Sequence, residues 1–383
     1  MIQRTRLNAA SGSPGDSTSA WPLALACVCL VVYASLYPFE GWRNQGLQPL
    51  AFLAAPLPRY WTGFDVAINL AGYVPVGFLL ALALLRSGAA RWVILAATCA
   101  AAALSLSMET LQGYLPSRIP SNVDFVLNGA GAFAGAIVAA TLERLGAIRR
   151  WNDFRARWFE RDSRGALVLL AFWPVGLLFP ASVPLGLGQV LERLEAAAAQ
   201  ALEATPFLEW LPVRDIELQP LVPGAELICV ALGGLIPCLI GYSVVRGLAR
   251  RFLLLGLTLA VGICFTTLSA ALSYGPEHAW AWLDLPAQAG LIAAGVLALL
   301  TLPVAPRAAA ALALLALSVH LALLNQAPDN PYLGQTLQVW EQGRFVRFNG
   351  LAQWVGWLWP FLALAHLLIR LSLGERRSER AKP

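Results

Sequence analysis

The chain has 383 residues, of which 58% are hydrophobic and only 13% are charged. Soluble domains carry about 25% charged residues, so this composition excludes a single soluble globule and indicates an all-α polytopic membrane protein. The net charge of +5 does not indicate a nucleic-acid partner, because the arginines collect in loops on one predicted side. The three histidines are scattered and the six cysteines lie inside apolar runs, so neither a metal site nor a cofactor is predicted.

Apolar runs dominate the chain after a polar start. Residues 1–20 predict a disordered cytoplasmic tail, and each of the ten runs that follow is predicted to cross the membrane as a helix. The runs cover residues 21–39, 65–85, 92–112, 123–142, 165–181, 223–245, 250–273, 285–303, 306–325 and 350–372. The short run 165–181 holds Pro174 and is the weakest span, with a re-entrant segment as its alternative. We expect residues 21–145 and residues 165–373 to form two membrane domains.

Polar segments separate these runs. Residues 146–164 are rich in arginine and carry aromatic residues at helical spacing. This pattern predicts either an amphipathic helix on an anionic leaflet or an ordinary cytoplasmic loop. Two longer loops are expected at residues 182–222 and 326–349, and the segment from Gly188 to Leu202 is predicted to be helical. Residues 374–383 form a basic tail.

The distribution of charge predicts the topology. If ten helices alternate across the membrane, the loops on one side hold most of the arginines, including seven between Arg144 and Arg164. Acidic residues collect on the other side, at Glu192, Glu195, Glu203, Glu209, Asp215, Glu217 and Glu226. Because arginine-rich loops stay in the cytoplasm, both termini are predicted to lie inside.

The segment from Ser105 to Gly131 differs most from the apolar composition expected of a lipid-facing helix. Between two apolar runs it carries Glu109, Gln112, Arg118, Asp124 and Asn128. A carboxylate or guanidinium at the edge of a bilayer is costly unless it is paired or hydrated. The predicted topology places this segment at the outer face, where these residues form our candidate ligand site.

A repeated sequence pattern adds two residues to this site. Residues 65–72 read DVAINLAG and residues 124–131 read DFVLNGAG, so Asp65 and Asn69 repeat the spacing of Asp124 and Asn128 in a helix of the same direction. The aspartates also suit the first turn of a helix, which is the structural alternative. Gly131 and Gly135 have the spacing of a helix-packing motif.

The two charged residues at the centre of the segment have alternative roles. Glu109 is interpreted as a solvated acid, as a structural partner of Arg118, or as a ligand-binding or acid–base group. Arg118 has the fork geometry that binds phosphate or carboxylate.

An ordered set of these residues resembles a known family. The set consists of Asp65, Asn69, Pro75, Gly77, Ser105, Glu109, Gln112, Arg118, Asp124, Asn128 and Gly131. In this order and spacing, over about residues 25–145, the chain resembles the VanZ-like domain of bacterial membrane proteins. That family is named for a protein linked to resistance to the glycopeptide teicoplanin. The resemblance implies an integral protein of the bacterial inner membrane that belongs to the cell envelope, and it does not imply a reaction.

Three functions are weighed on this basis. The first is a non-enzymatic protein that binds a lipid-linked or lipidated amphiphile, related to glycopeptide antibiotics or to envelope polymers, alongside ordinary membrane lipids. Its candidate residues are Glu109, Gln112, Arg118, Asp124, Asn128, Asp65 and Asn69. The second is an intramembrane enzyme that acts on a lipid-phosphate carrier, with Glu109 or Asp124 as the base. The third is a transporter, against which the grouping of the charges at one face argues.

Overall fold

A computed structural model of the chain describes most, but not all, of its residues. It covers residues 20–37, 39–46, 48–57, 63–88, 92–160, 162–203, 205–210, 218–328 and 346–379, without the side chains of 64, 65, 148, 346–351 and 373–379. The predicted tail up to residue 19, most of the predicted loop 326–349 and the final residues 380–383 lie outside this description. Of the residues used for the charge pattern, Asp215 and Glu217 also lie outside it.

The described residues form twelve α-helices and no β-strand, apart from one bridge between Phe159 and Val245. The helices are α1 Ala20–Leu36, α2 Gly63–Arg86, α3 Val93–Gln112, α4 Asn122–Arg144, α5 Ala147–Trp158, α6 Arg164–Leu177, α7 Leu191–Leu202, α8 Pro223–Tyr242, α9 Leu248–Tyr274, α10 Leu285–Leu300, α11 Pro306–Leu324 and α12 Val346–Glu379. The prediction of an all-α protein is therefore confirmed.

Seven of these helices are long and apolar enough to cross a membrane, namely α2, α3, α4, α8, α9, α11 and α12. The apolar helices α1, α6 and α10 are shorter, with 17, 14 and 16 residues. A straight helix needs about 20 residues to span the hydrocarbon core. The chain is thus a multi-pass membrane protein by its helices, while the count of ten spans stays a prediction.

The polar segments also contain helices. Helix α7 confirms the helix predicted between Gly188 and Leu202. Helix α5 confirms the helical interpretation of the arginine-rich segment, whereas its contact with a membrane stays a prediction. Helix α12 continues past the predicted end at residue 372 to Glu379, because the added segment is rich in the strong helix formers Glu and Arg.

The chain divides into two compact units, residues 1–152 and residues 153–383, which we call the N-terminal and C-terminal units. In the N-terminal unit, α2 and α4 pack so closely that glycine is required at the contact. A Cβ atom at Gly131 would clash with the carbonyl oxygen of Leu70, and one at Gly135 would clash with that of Val74. Since both contacts advance by four residues along each helix, α2 and α4 run parallel, and the packing role predicted for the two glycines is confirmed.

In the C-terminal unit, α8 is the central helix. Nearly every residue from Cys229 to Tyr242 is buried, and the surrounding helices are α6, α9, α10 and α11. One end of this helix is fastened by Arg251, whose buried guanidinium donates to four carbonyl oxygens. They belong to Tyr242, Val245, Leu302 and Val304, at 2.8, 3.2, 2.7 and 2.6 Å.

A second arginine lies near the same end of α8. Arg246 forms two hydrogen bonds with the carboxylate of Glu160, at 3.1 and 3.2 Å. These bonds, together with the attraction between the two charges, raise the pKa of Arg246 above its ordinary value. Arginine side chains therefore hold together the end of the C-terminal unit at which α8 stops.

Candidate functional site

The candidate site lies at the end of the N-terminal unit where α1 and α3 stop and α4 begins. Two loops cover this end, and their described residues are 39–46, 48–57 and 113–121. The amide of Arg43 donates to the carbonyl of Tyr114 at 3.0 Å, and the Gln45 side chain donates to the carbonyl of Gly113 at 2.9 Å. The loops, joined by these hydrogen bonds, thus form a cap over the ends of the helices.

Beneath this cap, four polar side chains are buried between α2, α3 and α4. Ser105, Glu109, Asn128 and Tyr73 are only 0%, 4%, 5% and 5% exposed, and we call them the polar cluster. Asn128 Nδ2 donates to Ser105 Oγ at 3.0 Å. The backbone amide of Ser121 donates to Glu109 Oε2 at 2.8 Å, which ties the carboxylate to the cap. Three helices and one loop therefore converge on the Glu109 carboxylate and the Asn128 amide.

One atom of the polar cluster has no hydrogen-bond partner. Asn128 Oδ1 is buried, and no described polar atom lies in hydrogen-bonding geometry to it. The hydroxyl of Tyr73 is buried as well, but it lies beside the Ser105 hydroxyl and within electrostatic reach of Glu109, so it has polar neighbours inside the cluster. A buried polar atom without a partner costs about 1–3 kcal/mol. Such atoms are rare in folded proteins and often mark the place where an external polar group binds.

Gln112 and Arg118 fasten the end of α1. Gln112 Nε2 donates to the carbonyl of Ser35 at 3.0 Å, and Arg118 Nη2 donates to the carbonyls of Tyr37 at 2.6 Å and Ala34 at 3.3 Å. The residue four positions after Ala34 is a proline, which has no N–H to donate to that carbonyl. Part of the Arg118 guanidinium thus replaces a missing helix hydrogen bond, and a role in binding phosphate stays a prediction.

Asp124 lies in the first turn of α4. The Ser121 side chain caps this helix by accepting from the amide of Asp124 at 3.3 Å. An acidic residue at this position is favoured by the positive end of the helix dipole. Asp124 therefore lies in the first turn of α4, as expected if its role is to stabilise the start of the helix. The residue that caps this helix, Ser121, also donates its backbone amide to Glu109.

The structure describes only part of the repeated sequence pattern. The Asp65 side chain lies outside the described residues, whereas Asn69 is half-buried on α2. The register of α2 against α4 places Asn69 within one helical turn of the level of Asn128. The sequence analysis included Ser105 only as part of the family pattern and not as a site residue. It missed Tyr73, although Tyr73 lies four residues from Asn69 and so on the same helix face.

The predicted residues thus fall into three places. Glu109 and Asn128 lie together in the polar cluster, Gln112 and Arg118 lie at the end of α1, and Asp124 lies at the start of α4. The described residues contain no group of three or more His, Cys, Asp or Glu side chains that could hold a metal ion.

Comparison with known proteins identifies this part of the chain. The sequence model of the VanZ/LLP1 family matches residues 20–143, which hold α1 to α4 and the whole polar cluster. No curated protein and no solved structure shows significant similarity to the chain. Residues 20–143 therefore form a VanZ-like domain, and they do so within a multi-pass membrane protein.

Proposed function

We propose that this protein lies in the bacterial inner membrane and binds a lipid-linked or lipidated amphiphile at the polar cluster of its VanZ-like domain. The observation that carries the proposal is the polar cluster itself. It places an acidic side chain and a buried amide oxygen without a hydrogen-bond partner in an apolar helix bundle, just beneath the loops that cover the helix ends. Burying a carboxylate and a polar atom without a partner costs free energy, which indicates that the polar cluster serves more than folding.

The chemistry of the polar cluster favours a headgroup that donates hydrogen bonds. Glu109 and Asn128 Oδ1 are acceptors, and the Tyr73 hydroxyl can both donate and accept. A sugar hydroxyl or an amine supplies the matching donors. The apolar tail of the same molecule has exposed apolar side chains to lie against, since Ile119 in the cap and Val126 on α4 are both exposed.

The proposed orientation places the polar cluster on the outer side. At the opposite end of the N-terminal unit, α2 and α4 stop at Arg86 and Arg144, and Trp21 Nε1 of α1 donates to Ser87 Oγ at 3.1 Å. Arginine-flanked helix ends face the cytoplasm in most membrane proteins. Both termini inside and ten helices across the membrane, with α1, α6 and α10 as short spans, complete this part of the proposal.

The test measures ligand binding to the full chain in lipid nanodiscs. Its two probes are a lipid-linked sugar phosphate and teicoplanin, and its variants are Glu109→Gln and Ser105→Ala. We expect binding to weaken at least about tenfold, the equivalent of one charge-assisted hydrogen bond. Ser107→Ala is the matched control, because Ser107 is exposed on the same helix and its hydroxyl bonds only to Ala103 O within α3, at 2.8 Å.

The proposal fails if Glu109→Gln and Ser105→Ala both bind the probes as the unchanged protein does. It also fails if Ser107→Ala weakens binding as much as Ser105→Ala, since the effect would then not come from the polar cluster. Binding of one probe alone identifies which kind of amphiphile the site accepts.

A further inference from the structure

A separate cavity lies in the C-terminal unit, with a volume of about 290 Å³. The end of α6 with the loop that follows it, the first turn of α8, the last turns of α9 and the start of α10 line it. This is the end of α8 opposite to the one that Arg251 fastens, because α8 starts at the cavity and stops at the arginine. The cavity therefore belongs to neither the polar cluster nor the arginine-rich end.

The polar lining of the cavity is acidic. Glu226 from the first turn of α8 and Asp284 from the start of α10 both line it, and they are close enough for their charges to repel each other. No arginine or lysine is among the lining residues, and the single basic side chain there is that of His278, which is exposed. Two carboxylates that face a shared cavity without a fixed cation favour the binding of a positive charge.

One lining side chain adds a polar group without a partner. The hydroxyl oxygen of Thr266 is buried, and no described polar atom lies within hydrogen-bonding geometry of it. The Asp284 carboxylate, by contrast, already accepts from the amide of Ala287 at 2.9 Å and so is held in place as the cap of α10. The cavity thus offers one hydroxyl without a partner and one pre-oriented carboxylate.

The remaining walls are apolar and aromatic. Tyr274, Trp282 and Phe179 line the cavity together with Leu177 and Leu185. The indole of Trp282 is fixed by a hydrogen bond from Nε1 to Thr267 Oγ1, at 3.2 Å. Aromatic walls stabilise organic cations through their ring electrons and also cover the carbon atoms of such a cation.

We propose that this cavity binds the ammonium group of a small organic amine, with Glu226 and Asp284 as the charged partners and the aromatic side chains around its carbon body. A metal ion fits less well, since no three His, Cys, Asp or Glu side chains of the described residues come together as a metal site, there or elsewhere. The proposal does not depend on the function proposed for the VanZ-like domain.

The experiment measures binding of butylamine to the full chain in detergent by isothermal titration, with butanol as the uncharged probe of the same size. We expect butylamine to bind and butanol to bind at least about tenfold more weakly. Glu226→Gln and Asp284→Asn are each expected to weaken butylamine binding at least about tenfold. Asparagine also caps helices, so Asp284→Asn keeps the start of α10 intact if the other variant does not fold.

Glu277→Gln is the matched control, because Glu277 is an exposed acid that precedes His278 but does not line the cavity. It removes the same charge and is expected to leave the affinity for butylamine within about twofold. The proposal is overturned if butylamine does not bind, if butanol binds equally well, or if Glu277→Gln weakens binding as much as Glu226→Gln. It is also overturned if calcium binds more tightly than the amine and is lost in the same two variants.

Discussion

The role of Glu109 can be resolved by comparing two substitutions that remove its charge. Glu109 Oε2 accepts a hydrogen bond from the amide of Ser121 at 2.8 Å, at a side chain that is only 4% exposed. In Glu109→Gln, the amide oxygen can still accept this bond, so we expect a loss in unfolding free energy of about 1 kcal/mol, the difference between a charged and a neutral hydrogen bond. In Glu109→Leu, the Ser121 amide loses its acceptor beneath the loops. The loss in unfolding free energy is therefore expected to be larger by about 1–3 kcal/mol.

Ligand binding should follow a different order. If the carboxylate binds the headgroup, both variants lose affinity alike, although their stabilities differ. Stability is measured by denaturant or thermal unfolding of the purified protein in one detergent, and binding is measured on the same samples in nanodiscs. The combination of similar binding defects with unequal stability defects is what a ligand-binding carboxylate predicts.

The opposite pattern would refute this reasoning. If Glu109→Gln is as unstable as Glu109→Leu, and the loss exceeds about 3 kcal/mol, the charge itself holds the fold, as in a buried ion pair. A double-mutant cycle with Arg118→Gln then shows whether that arginine is the partner. A coupling energy above about 1 kcal/mol would support the structural interpretation of Glu109.

Three further outcomes are expected. In Gly131→Ala the new Cβ meets the backbone of α2, so this variant should lose about 1–3 kcal/mol of stability. Gly129→Ala has open space around it and should keep the stability of the unchanged protein. Thermal unfolding measures both. Arg251→Met should cost at least about 3 kcal/mol in unfolding free energy because four carbonyl oxygens lose their donor, while Arg307→Met on an exposed site should be neutral. Alkaline phosphatase inserted after Ser117 should be active and a C-terminal fluorescent protein should fluoresce if both termini lie inside; the reverse would contradict the topology.

The helices could be predicted from the sequence because hydropathy over some twenty residues is a strong signal. Every apolar run that was expected to be a span contains a helix, including the short one at residues 164–177. Hydropathy does not reveal which helices pack together, since all their faces are apolar. The contact of Gly77 with Ala132 between α2 and α4 is an example, because it depends on the register between two distant segments.

The candidate site could be located from the sequence, but its internal arrangement could not. Charged residues between apolar runs indicated the location of Glu109 and Asn128. The partner of Asn128 is Ser105, a small residue that no hydropathy scale distinguishes from the packing serines of other membrane helices. Likewise, the hydrogen bonds of Arg118 to the end of α1 depend on a loop geometry that spacing alone does not define.

Arg118 also bears on which headgroup the VanZ-like domain can bind. The arginine lies at the end of the unit that the charge rule assigns to the outer face, where arginines are expected to be scarce. Its Nη2 atom donates to the carbonyl oxygens of Ala34 and Tyr37 at the end of α1, where the negative end of the helix dipole attracts the guanidinium. An anionic headgroup would have to compete with these carbonyls for Nη2. Asn128 Oδ1 has no such competitor among the described residues. The geometry therefore favours recognition through the hydroxyl or amine groups of a headgroup over recognition through its phosphate.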